Sequence, residues 1–114
     1  MIKGVGIDNV DIPRLNKVYE KWGEKFTNKI FSIEEIPSYK DKKSFLNSLA
    51  GKFAAKEAIA KALGNGFKGG LTFKSIKIIK SLSGSPVAIV QNNNDEIIIS
   101  ITHTDKVATA IAII

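Results

Sequence analysis

The chain has 114 residues, 44% hydrophobic and 25% charged, which predicts one folded domain over residues 1–114 and excludes a disordered chain or separate cores. With no cysteine and one histidine, disulfides, thiolate metal sites and zinc sites built on several imidazoles are excluded, so oxygen atoms are the expected metal ligands. The net charge of +6 favours an anionic partner, and no apolar run is long enough to cross a bilayer, so we expect a cytoplasmic protein without membrane association.

The first predicted elements are a strand and a helix. Residues 2–8 alternate along the chain, with Gly4, Gly6 and Asp8 on one side, which predicts a strand with an almost bare face around Asp8. Asp11 is expected to cap a helix that has a proline in its first turn and continues to residue 30. The apolar residues that follow helical spacing, and are expected on the core side, are Leu15, Val18, Tyr19, Trp22, Phe26 and Ile30.

The middle of the chain predicts a helical turn and the longest helix. Ser32 followed three residues later by Glu35 has the form of a capping box. From about residue 42 to residue 63 the apolar residues follow helical spacing, and Gly64 is placed as a stop. Six alanines on this helix permit close packing against a sheet. The glycine-rich segment 64–70 lacks the spacing and ending of a P-loop and is interpreted as a helix stop and connection.

The last fifty residues are rich in isoleucine and valine. The predicted strands cover residues 71–80, 86–90, 97–103 and 107–114. Short links predict that the last three run antiparallel as a meander. The final strand has Thr109 as its only polar side chain, which predicts burial on both faces. The fold class is therefore α+β: an N-terminal strand and two main helices, one long and central, packed on a small antiparallel sheet.

Glu57 is an unusual residue of the long helix. A projection at about 100° per residue places it about 40° from Phe53, inside the apolar arc. Because a buried, unpaired carboxylate is costly, Glu57 must be protonated, paired with a cation or bound to a metal. Lys61 lies one turn on, and an intrahelical Glu57–Lys61 ion pair is the simpler interpretation. If Asp8 converges with Glu57 rather than serving as a turn or cap, two carboxylates suit Mg²⁺ beside phosphate oxygens.

Two other features could bind phosphate or an acidic protein. His103 ends a predicted strand, in phase with three isoleucines, and has either a structural role or a phosphate contact. A row of basic residues, hereafter the basic stripe, follows one edge of the first helix beside its apolar arc. Such a row is either only solvated or docks an acidic helix or a phosphate backbone. The basic stripe consists of Arg14, Lys17, Lys21 and Lys25, with Val18 interleaved.

Three sequence blocks resemble a known family: GID at 6–8 followed by Arg14, LAGKFAAKEA at 49–58 followed by Lys61 and Gly64, and SITHT at 100–104. In order and spacing they resemble the holo-[acyl-carrier-protein] synthases, which are small bacterial 4′-phosphopantetheinyl transferases. The resemblance implies the fold of that family and transfer of 4′-phosphopantetheine from coenzyme A to a serine of apo-acyl carrier protein, in fatty acid biosynthesis. It also implies release of adenosine 3′,5′-bisphosphate, dependence on Mg²⁺, and a homotrimer with sites between subunits.

The resemblance also implies roles for individual residues. Asp8 and Glu57 would bind Mg²⁺, and Lys61 would contact the pyrophosphate, so these three are the expected catalytic residues. Besides Lys61, the expected contacts to coenzyme A come from Lys52, Lys56, Gly64 and His103, with His103 near the adenosine bisphosphate. Lys52 stands where the family generally has arginine, so it keeps the charge but loses bidentate phosphate binding. The attacking serine would lose its proton to Glu57 or to a water molecule beside the metal.

The basic stripe, with Val18 at its centre, is implied to meet the acidic recognition helix of the carrier protein, which accounts for the positive charge without nucleic acid. Two alternatives remain open from the residues alone. An RNA-binding module would need neither Mg²⁺ nor coenzyme A, but Trp22 and the phenylalanines fall mostly at core spacing and leave no evident stacking platform. A catalytically idle trimeric scaffold would form no product.

Overall fold

The computed structural model describes residues 1–64 and 66–114, and within them it confirms the predicted α+β class. The helices and strands, in chain order, are β1 Val5–Asp11, α1 Ile12–Trp22, α2 Glu24–Ile30, α3 Lys42–Ala62, β2 Ile76–Lys80, β3 Pro86–Val90, β4 Ile98–His103 and β5 Val107–Ile113. Two short 3₁₀ turns, Ile33–Glu35 and Phe73–Ser75, precede α3 and β2 respectively. The predicted capping box is present in the first of them, with Ser32 and Glu35 bonding each other reciprocally.

The strands form two antiparallel sheets, one with the order β1-β5-β4 and one formed by the β2–β3 hairpin. The prediction that the last three strands form one meander was wrong, because β3 belongs to a different sheet from β4 and β5. One edge of β5 pairs with β4, and the other edge pairs with β1, from Val5 opposite Ile113 to Asp11 opposite Val107. This pairing satisfies the backbone of the N-terminal strand and makes the C-terminal strand the central one of its sheet.

The predicted helix over residues 12–30 is broken in two at Gly23. This glycine has φ +54°, and its N–H donates to Tyr19 O at 2.7 Å, which closes α1. Glycine adopts positive φ without the steric cost that a Cβ would bring. After the break, Ile30 of α2 is buried, whereas Trp22 at the end of α1 is 52% exposed. The expectation that Trp22 is a core residue was therefore wrong.

The bare face of β1 lies directly on α3, as its glycines predicted. A Cβ at Gly4 would lie 2.0 Å from Ala62 O, and one at Gly6 would lie 1.9 Å from Ala58 O. No side chain larger than hydrogen fits at such distances. The backbone of β1 therefore touches the backbone of α3, and the next residue on this face of the strand, Asp8, is brought beside the helix.

The two faces of β5 differ in exposure. Its three alanines are completely buried on the face toward α3. On the other face Ile111 and Ile113 are half-buried and Val107 is exposed. The prediction of burial on both faces was thus wrong for the single chain, whose sheet keeps an aliphatic outer face in contact with solvent.

α3 ends at Ala62, and Gly64 follows with φ +95°, so the predicted helix stop is confirmed. Asn65 belongs to the predicted connection 64–70 and lies outside the described residues. Across the ranges 1–64 and 66–114, every helix is too short or too polar to pass through a lipid bilayer.

Candidate active site

The centre of the site is a pair of carboxyl groups, Asp8 of β1 and Glu57 of α3, hereafter the acidic pair. The two groups lie close enough to influence each other's ionisation, although 49 positions separate them in the chain. The side chain of Asp8 is 16% exposed, and Glu57 is half-buried. Their convergence follows from the contact of the β1 glycines with α3, because that contact leaves no room between the strand and the helix.

Ionisation of both carboxyl groups of the acidic pair is unfavourable when no metal ion is bound, even with Lys61 beside Asp8. Burial, the hydrogen bond with Asp8 and the charge of Asp8 raise the pKa of Glu57 to about 7, and Lys61 opposes this rise. Two carboxylates in contact repel each other, so near neutral pH they share a proton or bind a cation. A site of this kind has the oxygen donors and the negative charge that a divalent cation needs.

Lys61 joins the acidic pair from the next turn of α3. Its Nζ donates to Asp8 Oδ1 at 2.7 Å and to Ile7 O at 3.0 Å, and the hydrogen bond and charge of Asp8 raise the pKa of Lys61. The intrahelical Glu57–Lys61 ion pair, the simpler interpretation of the sequence, is not formed among the described residues. Because Lys61 bonds to the strand instead and is more than half exposed, its charge remains available to an anion.

Glu57 also lines a groove between α1 and α3, hereafter the α1–α3 groove, with a volume of 490 Å³. Arg14 and Val18, two residues of the predicted docking surface, line the same groove. Its apolar walls are Leu15, Val18, Phe26 and Phe53. One continuous surface thus connects a carboxylate of the acidic pair with the edge of α1.

The basic stripe is exposed along its whole length. None of its four cations pairs with a carboxylate in the part of the chain that the structure describes. Unpaired surface cations around a partly apolar groove favour an acidic protein surface as partner.

A second groove, of 370 Å³, lies on another side of α3 and brings Lys52 together with His103. A close contact between α3 and β4 shapes it: a Cβ at Gly51 would lie 2.9 Å from Ile101 Cγ2. His103, two residues further along β4, is exposed at this groove, with Nδ1 3.3 Å from Thr104 O. This groove is called the α3–β4 groove below.

Lys80 is a groove residue that sequence reasoning missed. Together with Tyr39 it lines the α3–β4 groove, and its Nζ lies 3.5 Å from Tyr39 Oη. Burial and the charge of Lys80 lower the pKa of Lys52, and Glu35 opposes this effect. The Nζ of Lys52 donates to Glu35 O at 2.5 Å. Two ammonium groups that repel each other across a groove can both bind a phosphate placed between them. The sequence alone gave no sign of this role, because it showed Lys80 only as the last residue of a predicted strand.

Lys56 does not fit the expected contact to coenzyme A. Its side chain is completely buried, and its Nζ donates to Ile30 O at 2.7 Å, Glu35 Oε1 at 2.8 Å and Phe73 O at 2.9 Å. An ammonium group has three donors, so none is left for a ligand. Lys56 is a structural residue whose paired charge joins α3 to the two 3₁₀ turns.

The two grooves lie on different sides of α3. A projection at about 100° per residue separates Lys52 from Glu57 by about 140°. One protomer therefore does not bring the acidic pair and His103 to the same point. Gly64 is exposed just beyond the end of α3, three residues after Lys61, and its contact with a ligand stays a prediction.

A family model described as the 4′-phosphopantetheinyl transferase superfamily matches residues 4–112. The holo-[acyl-carrier-protein] synthase of Thermodesulfovibrio yellowstonii is 42% identical over 114 residues, with 100% of this chain and 99% of that protein covered. The crystal structure of the holo-(acyl-carrier-protein) synthase of Bacillus anthracis in complex with CoA (3′,5′-ADP) superposes with a TM-score of 0.88 at 30% identity, covering 99% of this chain and 96% of the other.

The crystal structure of Helicobacter pylori holo-[acyl-carrier-protein] synthase in complex with coenzyme A superposes with a TM-score of 0.84 at 36% identity. It covers 95% of this chain and 96% of the other. The family match and the fold agree with the resemblance of the three sequence blocks. The chain belongs to the 4′-phosphopantetheinyl transferase superfamily, and within it to the family of the holo-[acyl-carrier-protein] synthases.

Proposed function

We propose that this protein transfers 4′-phosphopantetheine from coenzyme A to a serine of apo-acyl carrier protein and releases adenosine 3′,5′-bisphosphate. The observation that carries the proposal is the convergence of Asp8 and Glu57 beside Lys61, in the fold of relatives named for this activity. In the reaction the serine oxygen forms a bond to the phosphorus that carries the pantetheine. The bond from that phosphorus to the nucleotide breaks, and the serine proton is taken up by a base.

The acidic pair fits Mg²⁺. Two carboxylate groups, without thiolate or imidazole, match an ion that binds one or two protein carboxylates and leaves other positions to water and phosphate. The raised pKa of Glu57 indicates that burial and the neighbouring Asp8 disfavour ionisation of both carboxyl groups at once. A bound cation would offset that cost. Asp8 and Glu57 would hold the ion, which when bound would supply positive charge that offsets the charge of the departing nucleotide.

The chain's own residues supply the remaining chemistry. Lys61, held between Asp8 and the Ile7 carbonyl, places a second positive charge where the pyrophosphate would lie. Glu57, which lines the groove beside Asp8, is one candidate acceptor for the serine proton. A water molecule beside the metal is the alternative acceptor. The carrier serine would reach this point through the α1–α3 groove.

We further propose that the site is completed between subunits of a homotrimer. The angle of about 140° between Lys52 and Glu57 around α3 places the two grooves on different sides of the helix, which favours a coenzyme A site shared between two protomers. A neighbouring copy would supply the α3–β4 groove, where Lys52, Lys80 and His103 would hold the adenosine bisphosphate. The aliphatic outer face of the β1-β5-β4 sheet, with Ile7 and Ile98 both 59% exposed, supports such an association.

Reversing the charge of Arg14 tests the carrier docking surface. We expect Arg14→Glu to raise the KM for apo-acyl carrier protein about tenfold, because an opposed charge replaces an attractive one at the edge of the α1–α3 groove. The KM for coenzyme A should not change. Steady-state transfer assays with each substrate varied in turn measure both constants.

The matched control for Arg14→Glu is Lys68→Glu, which changes the net charge equally at an exposed position outside the basic stripe. An equal rise in the carrier KM in both variants would show a general charge effect and contradict specific docking at Arg14.

The pH dependence of stability tests the acidic pair without metal. Because the folded protein raises the pKa of Glu57 to about 7 from an ordinary value of 4.5, it holds this proton more tightly than the unfolded chain does. The contribution of this proton to the free energy of unfolding is therefore complete below pH 4.5 and is lost as the pH rises toward 7. In urea unfolding without metal, the free energy of unfolding of the wild type should fall over this pH range, whereas that of Glu57→Gln should not show this fall. Added Mg²⁺ should reduce the fall in the wild type. Parallel pH profiles of the two proteins would contradict the unfavourable ionisation of the acidic pair.

The proposed activity is tested by mass spectrometry. Apo-acyl carrier protein incubated with this protein, coenzyme A and Mg²⁺ is expected to gain the mass of one 4′-phosphopantetheine group. An RNA-binding module and an idle scaffold both predict an unchanged mass, as does omission of coenzyme A. The role in fatty acid biosynthesis and the cytoplasmic location remain predictions.

A further inference from the structure

Trp22, the single tryptophan of the chain, is half exposed at the end of α1, and the fold makes little use of it. Tryptophan is usually well buried, so a half-exposed one beside a groove is informative. In protein interfaces tryptophan is enriched among the residues that contribute most to binding.

The helix break at Gly23 explains why Trp22 remains outside the core. Before the break, Leu15 of α1 is buried, and after it Phe26 of α2 packs with Phe53 of α3, with ring centroids 6.1 Å apart. A straight helix would have carried Trp22 into the same apolar arc as Phe26. The break changes the direction of the chain between α1 and α2 and leaves the indole at the surface.

The surroundings of Trp22 combine apolar and basic groups. Trp22 lies one turn beyond Val18, about 40° away around α1, and Val18 lines the groove that contains Glu57. The Nζ of Lys21 lies 5.2 Å from the centre of the indole ring, so a cation covers part of the aromatic face. The basic stripe flanks this side of α1 with four exposed cations. An apolar centre with a basic rim is complementary to an amphipathic helix with acidic side chains.

We propose that Trp22 is an apolar anchor of the docking surface and packs against an acidic, amphipathic helix of the acyl carrier protein. The proposal rests on the proposed function for the identity of the partner. Charge complementarity selects this occupant, because the surface cations have no internal partners within the described ranges and would repel an identical basic surface of a second copy. Trp22 supplies apolar area that the partner covers, and Lys21 binds an acidic side chain beside it.

Intrinsic fluorescence tests the proposal directly, because the chain has one tryptophan. Apo-acyl carrier protein without tryptophan is titrated into the protein in the absence of coenzyme A and Mg²⁺. We expect a saturable shift of the emission to shorter wavelength as the indole leaves water. In Arg14→Glu the same shift should require about tenfold more carrier.

Kinetics provide the second arm. Trp22→Ala is expected to raise the KM for the carrier tenfold or more, with kcat and the KM for coenzyme A unchanged, and Trp22→Phe should recover part of the loss. The matched control is Leu82→Ala, which removes a fully exposed apolar side chain from the link between β2 and β3 and should change neither KM.

The outcomes separate this inference from the proposed function. If the wild type transfers phosphopantetheine but the emission stays constant, or Trp22→Ala keeps the wild-type carrier KM, Trp22 is not an anchor. An emission shift that depends on the protein's own concentration instead of the carrier would assign the surface to a second copy and also overturn the inference. If the wild type forms no product, the proposed function fails, and a saturable shift on adding carrier would still support docking at Trp22.

Discussion

Replacing Glu57 by glutamine is expected to abolish transfer while the protein remains folded. Glutamine has nearly the same shape but carries no charge, so the acidic pair loses one of its two anionic groups and the groove loses a proton acceptor. A positioned general base contributes about 10²–10⁴-fold to a rate, and loss of metal binding adds to that effect. We therefore expect kcat to fall at least about 100-fold.

The fold should tolerate Glu57→Gln because the substitution removes a charge that is costly in its position. The burial and the contact with Asp8 that raise the pKa of Glu57 to about 7 disfavour the ionised carboxylate, and the neutral amide avoids this cost. Urea unfolding at neutral pH should give a free energy of unfolding no lower than that of the wild type. The control is Glu34→Gln, which removes an exposed ion pair with Lys77 away from the site and should keep full activity. Transfer by Glu57→Gln at the wild-type rate at saturating Mg²⁺ would refute the role of this carboxylate.

Adding a single methyl group at Gly6 is expected to damage both stability and activity. The new Cβ would lie 1.9 Å from Ala58 O, which is backbone and cannot rotate away, so β1 and α3 must separate. Overpacking of this kind costs about 1–3 kcal/mol or more. The separation also moves Asp8 away from Glu57, so we expect the affinity for Mg²⁺ and the transfer rate to fall together.

A matched control distinguishes this backbone contact from ordinary crowding. A Cβ at Gly51 would also be close to a neighbour, 2.9 Å from Ile101 Cγ2, but that atom belongs to a side chain rather than to the backbone. Alanine also favours the helix by about 1 kcal/mol relative to glycine, so Gly51→Ala should cost much less. Chemical unfolding and transfer assays of the two variants provide the comparison. Wild-type stability and activity in Gly6→Ala would contradict close backbone contact between β1 and α3.

The acidic pair could be anticipated from sequence because each member breaks a local pattern. Glu57 is a charge inside an apolar arc of a helix, and Asp8 follows glycines that leave one face of a strand bare. The partner of Lys61 could not be anticipated, because helical spacing favours Glu57 while the choice of Asp8 depends on where β1 lies on α3. Local periodicity carries no information about that long-range contact.

The break at Gly23 shows why a strong pattern can mislead. Apolar residues continue at helical spacing on both sides of it, and an isolated glycine is often tolerated inside a helix. Only the observed positive φ reveals that the chain turns and leaves Trp22 exposed.

The role of Lys56 depends on a partner 21 positions away. The capping box predicted that Glu35 faces Ser32, but it could not show that the same carboxylate also accepts a hydrogen bond from Lys56. Without that contact, the resemblance to the family placed Lys56 among the expected contacts to coenzyme A. The central position of β5 in its sheet could not be predicted for a similar reason, because its pairing with β1 is a contact between the two ends of the chain.

The most direct test of the acidic pair is a crystal structure grown with coenzyme A and Mn²⁺, an anomalous scatterer that replaces Mg²⁺. We expect an anomalous peak beside the carboxylate oxygens of both Asp8 and Glu57, with the diphosphate of coenzyme A bound next to it. Coenzyme A bound with its diphosphate distant from these two residues, or a metal coordinated elsewhere in every protomer, would contradict the account.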